Sequence, residues 1–334
     1  MQTYVNPQGI ALAILPWLVR DTYDHNDDPF TLSATYFNRS IRQMVLERRK
    51  MLSDTKPLVQ SIDVATMAAS RMGTAIHDSI EAAWYDDVAV AAACKLAGLP
   101  KKVSENILVN PEEGTSTEGK FVVRMEQRLE KKLKNYLITG KFDFVINGEL
   151  TDFKSTSAFK VTGMLDEENY IRQGSIYRWL NPELITSSIL SITFIVKDFA
   201  QKQAGKNGYP ANATPTYQFP LWEPAVTEKY LADKLDTVEK LLDSPDEDIP
   251  YCTPTELWQG PPVYKYYANP EKTVRATKNF DNMQDAELMK ISRGAGIVIV
   301  VQDPPRACNW CSVRFECSQY AEMSIPEEPT DDLL

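Results

Sequence analysis

The 334-residue chain carries 36 basic and 46 acidic side chains, a formal net charge of −10, and is 43% hydrophobic and 25% charged. That length suffices for one large domain or two modest ones with a sizeable core. The acidic balance argues against a passive nucleic-acid coat, and no apolar run approaches the ~20 residues of a membrane helix. The first residues, MQTYVNPQGIALAILPW, lack a basic start and a small-residue cleavage site, so a cytoplasmic protein without a membrane partner is expected.

Residues 1–30 read as irregular and acidic. From Leu32 to Leu52 the spacing predicts a helix, with Thr31 or Ser33 as its cap. Within it, residues 39–50 (RSIRQMVLERRK) hold five basic groups against one acid, among them Arg39 and Arg42. Residues 61–97, rich in Ala, Met and Ile, predict one or two helices, and 104–118 predict a loop. Residues 120–155 alternate and predict three strands. This stretch is also basic: Lys120, Arg124, Arg128, Lys131, Lys132, Lys134 and Lys141 stand against Glu126 and Glu130. Both basic stretches read as solvated faces or as phosphate contacts.

A helix at 166–180, a strand at SSILSITFIVKDF, an amphipathic helix from Thr227 to Asp243, a short helix near 283–291 and a strand GIVIVV follow. The final PEEPTDDLL has four acids and no base and reads as a disordered tail.

The stretch GKFDFVINGELTDFK (140–154) carries the most information. Asn147-Gly148 between alternating segments signals a two-residue hairpin loop. That register sets Ile146 opposite Glu149, Val145 opposite Leu150, Phe144 opposite Thr151 and Asp143 opposite Asp152. Lys141 and Lys154 form the next pair on the aspartate face, and Phe142, Phe144, Ile146 and Phe153 form a core face. Like charges directly opposed are destabilising. Solvation at an edge, compensation by the two lysines, or a shared divalent cation would each relieve the conflict.

Asp143 followed by Asp152-Phe153-Lys154 resembles the metal-and-lysine motif of the PD-(D/E)XK nuclease superfamily. Upstream, RMGTAIHDSIEAAW places His77 in a G-x-x-x-H context; downstream, IRQGSIYRWL places Gln173 and Tyr177 four apart on one helical face. This order resembles the RecB-like branch, which includes CRISPR-associated RecB-like exonucleases, over residues 73–177. The resemblance implies an α/β, restriction-endonuclease-like core, a mixed central sheet flanked by helices, with a helical N-terminal part and a Cys-rich C-terminal segment. It also implies Mg²⁺ or Mn²⁺ held by His77, Asp143, Asp152 and the Phe153 carbonyl, with Lys154 orienting or deprotonating a water and Gln173 and Tyr177 positioning the strand or the lysine. Glu126 is either a further site acid or a partner of Arg124 or Arg128.

The implied activity is that of a metal-dependent DNA nuclease, an exonuclease on single-stranded DNA or DNA ends. A catalytically idle nuclease-fold module that binds DNA ends or a recombination partner is the alternative. Arg39, Arg42, Lys131 and Lys132 are the substrate-binding candidates. With no phosphate-binding Gly-rich loop, a replication or recombination role in a bacterial or phage-infected cell is expected, with the acidic tail as a contact for a replication or recombination protein.

Five cysteines occur: Cys94, Cys252, Cys308, Cys311 and Cys317. The last three, spaced C-x₂-C-x₅-C, suggest thiolate ligands to a soft metal or cluster. The RecB-like resemblance implies a [4Fe–4S] cluster completed by a cysteine far upstream in the early helix. There the sequence has Ser40 and no cysteine, so a non-cysteine fourth ligand, a zinc site using His25 or Cys252, a lost metal, or three buried structural thiols stay open. The expected organisation is a helical N-terminal region (1–60), a nuclease core (61–305), a cysteine segment (306–322) and the tail (323–334).

Overall fold

A computed structural model of the chain describes residues 3–21, 26, 28–53, 61–163 and 165–324. His25 and the acidic tail from residue 325 lie outside the described residues. The chain divides into two units, one of residues 1–38 with 54–233, the other of 39–53 with 234–334. This division differs from the expected boundaries. The segment 39–53 belongs with the C-terminal residues, and the cysteine segment is part of that unit.

The first unit is built on a six-stranded mixed sheet in the order Thr216–Pro220, Ile189–Val196, Glu149–Thr156, Phe144–Ile146, Phe121–Met125, Ile107–Val109. The pairs 149–156 with 189–196 and 107–109 with 121–125 are parallel; the other three are antiparallel. Helix Ala68–Ala83 covers one face. Its Ile80, together with Trp84 just beyond it, packs against Val123, Met125, Phe144 and Phe153. Helix Glu167–Leu180 covers the other face, and Gly174 lets it settle close. A Cβ there would stand 2.8 Å from Leu221 and 2.9 Å from Leu190. Both faces of the central strands are therefore dry, which is why Val145 and Leu150 are as buried as Phe144. The architecture is the expected α/β class, a mixed central sheet flanked by helices, with a Cys-rich C-terminal region.

Residues 120–155 form five strands, divided between two sheets, instead of the three strands expected. Strands Arg128–Leu133 and Tyr136–Lys141 pair with each other and with Thr31–Ser33 in a separate small sheet. The sharp reversals are made by non-glycine residues in the left-handed region, Glu126 at φ 54° and Lys134 at φ 53°. Alternation alone could not mark them. The Asn147-Gly148 turn is as expected, with φ 48° and 83°, and the 144–151, 145–150 and 146–149 pairs match the expected register.

In the second unit, helix Ile41–Leu52 is capped by Ser40, whose Oγ accepts from the Gln43 N–H at 3.1 Å. The expected caps, Thr31 and Ser33, lie instead on a short strand. A three-stranded antiparallel sheet (Lys278–Phe280, Val263–Tyr267, Ile297–Val301) packs with helix Met283–Arg293. Short turns and helix Ser318–Ser324 follow. Among the described residues, no helix is long and apolar enough to cross a membrane.

Candidate metal centre

Helix Ala68–Ala83 presents Gly73, His77, Ile80 and, just past its end, Trp84 as one stripe at three- and four-residue spacing. Ile80 and Trp84 anchor the stripe on the phenylalanines of the sheet. Gly73 lies against strand 149–156, where an added Cβ would meet Ser155 Oγ at 3.7 Å. His77 is thereby aimed at the hairpin. Its Nε2 lies 3.1 Å from the Phe153 carbonyl oxygen and its Nδ1 3.4 Å from Asp143 Oδ2. In either neutral tautomer one ring nitrogen faces an oxygen acceptor with no proton between them. A proton on the Asp143 carboxyl or a bound cation reconciles both contacts.

Asp143 stands one residue beyond the last paired residue, Phe144, and its Oδ2 accepts from the Phe153 N–H at 3.1 Å. The ladder therefore stops short of the direct Asp143–Asp152 pairing expected. Burial first, and then the nearby Asp152 carboxylate, push the Asp143 pKa up to about 7, against the opposing pull of His77, the Phe153 N–H and Lys154. His77, Glu126 and Asp143 each offer a ligand atom within 4.8 Å of the others'. Such a set of one imidazole and two carboxylates suits a divalent cation of intermediate hardness.

Glu126 is the residue whose place the sequence left undecided. Its backbone N–H donates to the Asp143 carbonyl at 2.9 Å, and its left-handed φ of 54° turns the carboxylate toward His77. Strain held at such a position accompanies functional sites. Its cationic partner is Lys141, at 2.5 Å, instead of Arg124 or Arg128. Lys141 belongs to the other sheet, opposite Arg128, and does not pair with Lys154 as expected.

Asp152 and Lys154 lie on the opposite side of strand Glu149–Thr156. Lys154 Nζ is 2.6 Å from Asp152 Oδ2, although that buried oxygen receives no well-aligned hydrogen bond. Desolvation acts to lower the Lys154 pKa, but the Asp152 and Asp143 carboxylates outweigh it and leave the pKa raised. The lysine is thus a fixed cation at neutral pH. Both residues line a small cavity with Tyr170, Gln173 and Tyr177 from the Glu167–Leu180 helix, over Leu150 and Leu190. Gln173 Nε2 donates to Tyr177 Oη at 2.8 Å. Asp152 does not join the group of ligand atoms around His77.

Tyr177 is seated by a glycine in the small sheet. A Cβ on Gly140 would stand 2.6 Å and 2.7 Å from the Tyr177 ring. Gly140→Ala is expected to displace the ring, lowering stability by about 1–3 kcal/mol. Urea unfolding of the purified variant measures this, and the cavity beside Lys154 should lose its order with it.

The four basic candidates divide. Arg42 is buried, its guanidinium 3.1 Å from the Asp246 carbonyl oxygen, 3.4 Å from Asp246 Oδ2 and 4.8 Å over the Tyr251 ring. Those contacts commit it to its own unit, which corrects its reading as a phosphate contact. Arg39 pairs with Glu47. Lys131 lies 4.4 Å over the Trp179 ring and donates to the Trp179 carbonyl at 3.2 Å. Lys132 is exposed on strand Arg128–Leu133.

The cysteines form a second cluster. Cys308 is pushed up to about 11 by burial first, and then by the neighbouring Cys311, Cys252 and Cys317. Burial likewise raises Cys252 and Cys311. Four sulfurs thus share one neighbourhood, while Cys94 is buried in helix Asp87–Leu96 of the other unit.

No family model matches the chain, and no curated protein matches it. Among solved structures, the chain is similar to one described as SSO0001, at 13% identity and a TM-score of 0.35, over 73% of this chain and 90% of that one. It is also similar to a phage-related exonuclease from Haemophilus somnus 129PT, at 10% identity and a TM-score of 0.35, over 64% of this chain and 93% of that one.

Proposed function

We propose that the chain is a divalent-metal-dependent nuclease of the PD-(D/E)XK type that hydrolyses phosphodiester bonds in DNA, acting on single strands or ends. The observation that carries this reading is the convergence of His77, Glu126 and Asp143 beside the Phe153 carbonyl, with the Asp152–Lys154 pair on the same strand.

His77, Asp143 and Glu126 would hold Mg²⁺ or Mn²⁺, with the Phe153 carbonyl and Asp152 at its margin. The cation supplies charge that polarises a phosphoryl oxygen and acidifies a nearby water. Lys154, held protonated by Asp152, stabilises negative charge developing on the phosphate. It has no lone pair to accept a proton, so of the two roles the sequence allows it, the electrostatic one fits. Asp152 fixes the ammonium, and the Gln173–Tyr177 hydrogen bond orders the wall of the cavity beside it.

The test is incubation of the full-length protein with end-labelled single- and double-stranded DNA in Mg²⁺, Mn²⁺ or EDTA. Metal-dependent shortening of the labelled strand is expected. Binding without cleavage in every metal would replace the enzyme by a DNA-end-binding module.

A further inference from the structure

Segment 252–257 and segment 307–319 are held together by three contacts that do not involve sulfur. The buried Gln319 amide brackets the Cys252 backbone. The Cys252 N–H donates to Gln319 Oε1 at 2.7 Å, and Gln319 Nε2 donates to the Cys252 carbonyl at 3.0 Å. Farther along, the Ala307 N–H donates to the Leu257 carbonyl at 3.2 Å. Gln319 is two residues past Cys317 and Ala307 is one before Cys308, so the clamp spans the trio and sets Cys252 against it. Helix Ile41–Leu52 closes the same region. Lys50 Nζ donates to the Ser312 carbonyl at 3.1 Å and reaches Glu316 at 2.8 Å, and the Ser312 hydroxyl donates to Glu47. At the start of that helix, Ser40 Oγ lies 3.1 Å from Cys252 Sγ.

We propose that Cys252 is the fourth thiolate of an iron–sulfur site completed by Cys308, Cys311 and Cys317. The serine at the helix start marks where its sulfur sits: the early helix offers no cysteine, but the loop at 252 brings a thiol to the Ser40 side chain. Four thiolates in one neighbourhood match the ligand count of a [4Fe–4S] cluster. A single zinc also takes four thiolates, and iron content with visible absorbance separates the two. The assignment does not depend on the nuclease reading.

The experiment uses the full-length chain, purified anaerobically and reconstituted with ferrous iron and sulfide, with iron content and visible absorbance measured without DNA. The wild type is expected to bind about four irons per chain and to show a broad band near 400 nm. Cys252→Ala should fall to below about one iron per chain, while its metal-free form melts at the wild-type temperature; Cys94→Ala should retain full iron. Adding Ser40→Cys to Cys252→Ala places a thiol at the same spot and should restore more than half of the iron. Undiminished iron in Cys252→Ala, a colourless wild type after reconstitution, or a metal-free Cys252→Ala that has lost its fold would each overturn the assignment.

Discussion

Lys154→Ala should lower metal-dependent cleavage by roughly 100- to 1,000-fold, the loss seen when a preorganised charge-stabilising donor is removed. The ammonium lies 2.6 Å from Asp152 Oδ2 and lines the cavity with Gln173 and Tyr177. Cation binding should respond in the opposite sense. Removing a positive charge beside Asp143 and Asp152 leaves the carboxylates more attractive to Mn²⁺, so the calorimetric affinity should be unchanged or tighter. Lys154→Arg keeps the charge but changes the reach and the donor geometry, and should recover part of the rate. If Lys154 were instead the general base, the arginine variant would be as inactive as alanine, and activity would fall as the lysine protonates. Measuring kcat for both variants at saturating Mn²⁺ separates the roles. Full activity in Lys154→Ala would remove the lysine from the mechanism.

The hairpin was the most legible part of the molecule because two independent local signals agreed on it. Asn147-Gly148 demands a turn with positive φ, and the flanking alternation admits one register. Gln173 and Tyr177 were legible for a similar reason, since helical spacing alone puts them on one face. What the sequence hid depended on long-range geometry. Lys141 was read as a neighbour of Lys154, yet the chain changes sheets at Phe142 and gives Lys141 to Glu126. Glu126 itself gains its place only because a non-glycine residue turns left-handed after Met125, a choice no residue type announces.

Arg42 shows the same limit for charge. A basic run counts cations, but one of these is fully buried under Asp246 and Tyr251. The sequence leaves Cys252 open as a zinc ligand in a loop, and only the bracket formed by Gln319 shows where that loop goes. The hydrophobic pattern placed the helix at 167–180 and the strand at 189–196 closely, because burial of an apolar face is a local demand, but it missed the strand Ile107–Val109 within a predicted loop. Sites assembled from loop ends and strand exits answer to no such period.

Cation affinity at the His77–Glu126–Asp143 centre should weaken about tenfold for each pH unit below 7, because the cation must displace a proton from Asp143. Burial and Asp152 raise that carboxyl's pKa to about 7. The sign for stability follows from the same shift. A raised acid binds its proton more tightly in the folded state, so its stabilising contribution is full at pH below about 4 and is lost as pH climbs toward 7. Above that range the metal-free protein carries a buried, partly uncompensated carboxylate. Mn²⁺ should therefore raise the melting temperature more at pH 8 than at pH 6. In Asp143→Asn, which keeps the shape but cannot ionise, the metal-free melting temperature should lose this pH slope and the Mn²⁺ shift should largely vanish at both pH values. Differential scanning calorimetry over pH 5.5–8.5, with and without Mn²⁺, measures all of these at once. An equal Mn²⁺ shift at pH 6 and pH 8 in the wild type would mean that the cation is held elsewhere. A lost shift in Asp143→Asn with the wild-type pH slope retained would mean that Asp143 is a ligand but that another group carries the proton.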